Sequence, residues 1–221
     1  IANTGRVLGG VRDLDVIRLV LGEFGLEDIE AWRAAYDLDY ARKRAALNKL
    51  VQSPEYSQNI SGFYQFLTET KWKHKKTSPI KVGDPKTYFP QMLLGKWQSI
   101  QKKYVDITPE PYSTLHRLRI DLKRLRYLIE FFGDITNPET SQESILAIIA
   151  LQDHLGHLND VYNAGQLLSG MQKGYSKMQK AVQPKLDELI KIQVNEAHRF
   201  IPIWREFQTG RINDLLPTIL D

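Results

Sequence analysis

Apolar residues recur along this chain at helical spacing, and the clearest run is Leu115 to Phe132, LHRLRIDLKRLRYLIEFF. At roughly 100° per residue, Leu118, Leu122, Leu125 and Ile129 fall on one stripe that should face a core. His116, Arg119, Lys123 and Arg126 fall on an adjacent stripe. At 1.5 Å per residue that row of cations extends about 15 Å along the axis. A row of that length suits an extended anion better than a compact one. A solvated basic face is the competing reading, since Lys and Arg are good helix formers. Arg117 and Arg124 fit that second reading, lying off the stripe and flanking Asp121 at helical spacing. Glu130, four residues past Arg126, is the one acid of this helix on the stripe's side.

The rest of the chain reads in the same period. Helices are expected over Leu8 to Leu21, about Leu26 to Val51, Pro54 to about Trp72, and Pro90 to Tyr104. Ser53-Pro54 and Asn137-Pro138 are cap-and-proline starts, the second opening a helix towards Leu168. The third helix is expected to bury Ile60, Phe63, Tyr64 and Leu67. The remainder to Asp221 is helical in pattern, with Pro184 and Pro202 expected to kink or restart it. Residues 73–87, rich in Lys, Pro and Gly, read as an exposed linker. No alternating strand pattern of useful length occurs, so the fold class is all-α.

Two stretches match. Leu8 to Leu14 reads LGGVRDL and Leu155 to Val161 reads LGHLNDV, 147 residues apart. Such self-similarity points to two copies of one helical unit, the first over 1–72 and the second over 88–221 of a single domain. Gly9 and Gly156 are expected to admit a close helix neighbour. Asp13 and Asp160 are candidates to pair with an arginine of another helix, or to make a local polar contact. The His116 helix precedes Leu155 by 39 residues. Its counterpart would precede Ile1, so the first copy is expected to lack its N-terminal helix in this chain.

Composition narrows the possibilities. The chain has 221 residues, 42% of them hydrophobic, enough for a real core. Thirty Lys and Arg against 26 acids give a formal charge of +4, mildly basic and by itself no sign of a polyanion partner. With no cysteine there is no disulfide and no thiolate metal site, which fits a reducing, cytoplasmic setting. No apolar run approaches the ~20 residues that span a membrane. His154-x-x-His157 with Asp153 and Asp160 is the nearest approach to a metal site, but no Glu-x-x-His pattern accompanies it. No serine elbow supports a hydrolase. A nucleic-acid binder would use the basic helix, yet only Tyr127 supplies an aromatic among its cations. A protein scaffold is a third alternative.

Three motifs in order resemble the conserved histidine α-helical domain, the CHAD family. They are Leu8-Gly9-x-Val11-Arg12-Asp13-Leu14, then His116-x-x-Arg119-x-x-x-Lys123-Arg124-x-Arg126-Tyr127, then Leu151-Gln152-Asp153-x-Leu155-Gly156-x-Leu158-Asn159-Asp160. The resemblance implies two pseudo-symmetric four-helix bundles with a basic cleft between them. It implies binding of inorganic polyphosphate, without catalysis and without a cofactor. Carried over by position, His116, Arg119, Lys123 and Arg126 would line that cleft, with Arg12 and Arg44 contributing from the first half.

Overall fold

A computed structural model describes residues 2–23, 30–69, 84–174 and 179–220. It is all-α, with no strand among the described residues. The helices are α1 (Ala2–Glu23), α2 (Glu30–Val51), α3 (Pro54–Thr68), α4 (Pro85–Lys103), α5 (Tyr112–Phe131), α6 (Pro138–Gly174), α7 (Gln179–Thr209) and the short α8 (Ile212–Leu215). Contacts divide the chain into two compact units. One holds Ile1–Lys81 with Asn163–Asp187, the other Val82–Tyr162 with Glu188–Asp221.

In the first unit, α1 and α2 bury Leu14, Ile17, Leu21, Trp32 and Tyr36. Tyr36 stacks on Trp32 at 5.1 Å and donates its hydroxyl to the Leu14 carbonyl at 3.0 Å. That bond satisfies the polar end of an otherwise apolar ring. At the 147-residue spacing of the sequence match, Leu14 and Val161, Ile17 and Ala164, and Leu21 and Leu168 are all buried. Leu8 and Leu155 are not, at 50% and 2% exposed.

Helix α3 begins as its sequence dictates, with the Ser53 side chain accepting from Tyr56 N at 3.1 Å and proline in the first turn. Its apolar face is a different matter. No residue of α3 is buried, and Ile60, Phe63, Tyr64 and Leu67 are all exposed. The expected burial of this face is therefore corrected. Periodicity defines an apolar face, but nothing in it supplies a partner to cover that face.

The second unit is built on α5. Leu115, Leu118, Leu122, Leu125 and Ile129 are fully buried against Phe89, Leu93 and Trp97 of α4, Ile148 to Leu158 of α6, and Phe200 and Trp204 of α7. Each such side chain contributes roughly 1.5–3 kcal/mol on leaving water, so α5 is the axis of this core. The two core indoles keep partners: Trp97 donates to Asn213 Oδ1 at 2.9 Å and Trp204 to the Tyr104 carbonyl at 3.0 Å.

Helices α4 and α7 differ from expectation in ways that show what the sequence left open. Residues 73–83 of the expected linker lie outside the described residues, but Asp84 to Thr87 begin α4, five residues before Pro90. Asp84 accepts from Lys86 N at 3.0 Å with Pro85 at the first helical position, the same start signal as at Ser53. Helix α7 runs without a restart through Pro184 and Pro202. A proline removes one backbone donor, and burial of Leu189, Phe200 and Trp204 holds the helix on both sides of that loss.

A cationic cleft on helix α5

The burial of the leucine stripe decides where the neighbouring cations point. Arg119, Lys123, Arg126 and Tyr127 of α5 line a cleft of about 420 Å³ whose other wall is α6, with Gln152, Asp153, Gly156, His157 and Asp160. All of these residues belong to the second unit.

Arg119 is half-buried and makes no hydrogen bond or ion pair among the described residues. Arg126, with its side chain 22% exposed, has one anionic neighbour among the described residues, Glu130 at 3.5 Å. The Nε atoms of both arginines and Nε2 of Gln152 are sealed from solvent without an acceptor. Buried donors in proteins are nearly always paired, so three such atoms around one cleft set it apart. Lys123 and Arg126 both lie over the Tyr127 ring, at 5.6 and 5.1 Å, which holds the two cations on the same flank of α5.

Off the stripe the picture reverses. Arg117 donates to Thr114 Oγ1 at 3.2 Å, and Arg124, 69% exposed, lies 3.7 Å from Asp121. The close partners of Asp121 come from α4 and the residue that caps its end, not from its own helix: Lys96 Nζ at 3.1 Å, Lys103 Nζ at 2.8 Å and the Tyr104 hydroxyl at 2.9 Å. Burial alone would raise the Asp121 pKa, but the three hydrogen bonds outweigh it and bring it down to about 2.

His116 stands one turn before Arg119 and does not line the cleft itself. Its Nδ1 lies 3.1 Å from Asn159 Oδ1, which also accepts from the Tyr112 hydroxyl at 2.8 Å. Tyr112 stacks on Tyr162 at 3.9 Å, and burial pushes its pKa upward, so it stays a donor. Arg12 and Arg44 are exposed on α1 and α2 of the first unit.

The α6 wall of the cleft is legible in the sequence as one helical face. Ile149, Gln152, Asp153, Gly156 and Asp160 recur at three- and four-residue spacing, which sets them on one helical face. Among the described residues Asp160 forms no ion pair with an arginine; it accepts from Asn159 Nδ2 at 3.4 Å, the local contact of the two readings. The expected close approach at the repeated glycines is corrected too. A Cβ at Gly9 or Gly156 would meet nothing within 4 Å. Gly156 instead borders the cleft, where the missing side chain leaves room. No group of three or more His, Asp or Glu side chains among the described residues is placed to hold a metal ion.

Comparison with known proteins bears on the whole chain. A family model described as the CHAD domain matches residues 1–169. The crystal structure of the CHAD domain from the plant Ricinus communis is similar, with a TM-score of 0.74 and 24% sequence identity over 96% of this chain and 71% of that one. At that identity the likeness is one of fold. No curated protein matches.

Proposed function

This chain belongs to the CHAD domain family, and on that premise we propose that it binds inorganic polyphosphate, without catalysing a reaction on it, along the cations of α5. The observation that carries this reading is Arg119: a half-buried guanidinium with no acceptor among the described residues, set between His116 and the Lys123–Arg126 pair. A buried charge without a partner is costly, and a phosphate oxygen is an acceptor whose planar pairing suits a guanidinium. Polyphosphate repeats one anionic unit, so a row of donors on a stiff helix is sufficient recognition and no base-reading group is needed. Asp153 and Asp160 on the facing wall would keep the chain to the α5 side. Arg12 and Arg44 remain candidates carried by the family resemblance.

Nucleic acid is the second reading, and Tyr127 is the feature that favours it, as an aromatic ring 47% exposed on the cleft. Lys123 and Arg126 already lie over that ring, which leaves less of it for stacking a base. Titration with polyphosphate, orthophosphate and single-stranded DNA at equal phosphate concentration tests the choice. Polyphosphate should bind most tightly, and its affinity should fall steadily with added salt as counterions compete. Tighter binding of DNA would favour the second reading.

A further inference from the structure

The hydrogen bonds behind His116 run in one direction. Asp160 is a carboxylate and only accepts, so the Asn159 amide turns its Nδ2 towards it, at 3.4 Å. The amide oxygen then faces the other way and takes two contacts, from the Tyr112 hydroxyl at 2.8 Å and His116 Nδ1 at 3.1 Å. An amide oxygen cannot donate, so both neighbours must. The His116 ring therefore carries its proton on Nδ1. Its Nε2 makes no hydrogen bond within the described residues and is not sealed from solvent.

We infer that Asn159 and Asp160 are positioning residues that fix the Nδ1–H tautomer of His116, so that Nε2 donates to a phosphate only when the ring is protonated. This rests on the polyphosphate reading above. A neutral ring held this way offers Nε2 as an acceptor, which repels a phosphate oxygen. Protonation at Nε2 converts it to a charged donor in one step. The charged groups that flank this network are Arg119, one turn along α5, and Asp160, beside Asn159 on α6. Tyr112 and Tyr162 complete the wall. His116 would thus make polyphosphate binding tighter in mildly acid conditions, while Arg119, Lys123 and Arg126 hold it at any pH in that range.

Nitrogen-15 NMR of the His116 imidazole in the ligand-free protein tests the proton assignment directly. The neutral ring should show the proton on Nδ1 in the wild type and in Asn159→Asp, which keeps an acceptor. In Asn159→Leu the exclusive Nδ1–H state should be lost. Polyphosphate affinity between about pH 5.5 and about pH 8, where histidine changes charge, should fall several-fold as pH rises. His116→Gln should remove that fall, and Asn159→Leu should shrink it, because a neutral ring could then donate from Nε2. A wild-type neutral ring with its proton on Nε2 would overturn the inference, and so would a pH dependence unchanged in His116→Gln. If Asn159→Leu does not fold, the wild-type and Asn159→Asp spectra still decide. Absence of polyphosphate binding at every pH, with the Nδ1–H signal present, would refute the functional reading and the gating while leaving the proton assignment intact.

Discussion

Lys103 Nζ lies 2.8 Å from Asp121 Oδ2, so the end of α4 is tied to the middle of the helix that carries the cationic stripe. With Lys96 and Tyr104 on the same carboxylate, α4 holds α5 at a set rotation. That rotation turns Arg119, Lys123 and Arg126 to the cleft. Replacing Asp121 with Asn should therefore lower stability by about 2 kcal/mol, measured by chemical denaturation near neutral pH.

The same carboxylate predicts an acid dependence. Its pKa is held at about 2 in the folded chain, below the ordinary value of 3.8. A depressed pKa stabilises the fold above the unfolded value, and that contribution is lost as pH falls through about 4 towards about 2. Denaturation followed down this range should show a steeper loss in the wild type than in Asp121→Asn. Equal slopes would mean that the charge of Asp121 does not support the fold.

Gly156 predicts separable effects on stability and binding. A Cβ there meets nothing within 4 Å, and alanine is favoured over glycine in a helix by roughly 1 kcal/mol. Gly156→Ala should raise the melting temperature and leave polyphosphate affinity close to the wild type. Gly156→Glu places a carboxylate in the cleft and should weaken binding by about tenfold or more, ~1.4 kcal/mol.

The apolar face of α3 should be cheap to alter. Phe63 and Leu67 are 46% and 52% exposed, so Phe63→Ser with Leu67→Gln should change stability by no more than about 0.5 kcal/mol per site. A loss of several kcal/mol in thermal or chemical denaturation would show that this face is covered in solution.

What could be read from the sequence was whatever is local to one helix. The core stripe of α5 and the cations beside it follow from spacing alone, and so do the starts at Ser53-Pro54 and Asn137-Pro138. Asp84-Pro85 is the same signal, but it sits beside a Lys- and Gly-rich stretch whose composition reads as linker. Contacts between helices were not legible. Spacing alone points to Arg117 and Arg124, each one turn away, as the partners of Asp121. The lysines of α4, 18 and 25 residues distant, hold it more closely. The wall opposite the cations was hidden for the same reason: the motif containing Gln152, Gly156, Asn159 and Asp160 was plain in the sequence, but which helix it faced depends on packing. The α3 face shows the limit from the other side, since an amphipathic period carries no record of a partner.

The most direct measurement compares two double variants in a polyphosphate titration at low salt. Arg119→Ala with Arg126→Ala removes two arginines of the cleft. Arg117→Ala with Arg124→Ala removes the same charge from the opposite flank of α5. Charge-assisted hydrogen bonds contribute about 1.5–3 kcal/mol each, so the first pair should cost at least about tenfold in affinity, with helix content unchanged by circular dichroism. The second should remain within about twofold of the wild type, because only screened long-range charge is lost there. Equal losses in the two would contradict a site on the α5 stripe and leave diffuse positive charge as the source of binding.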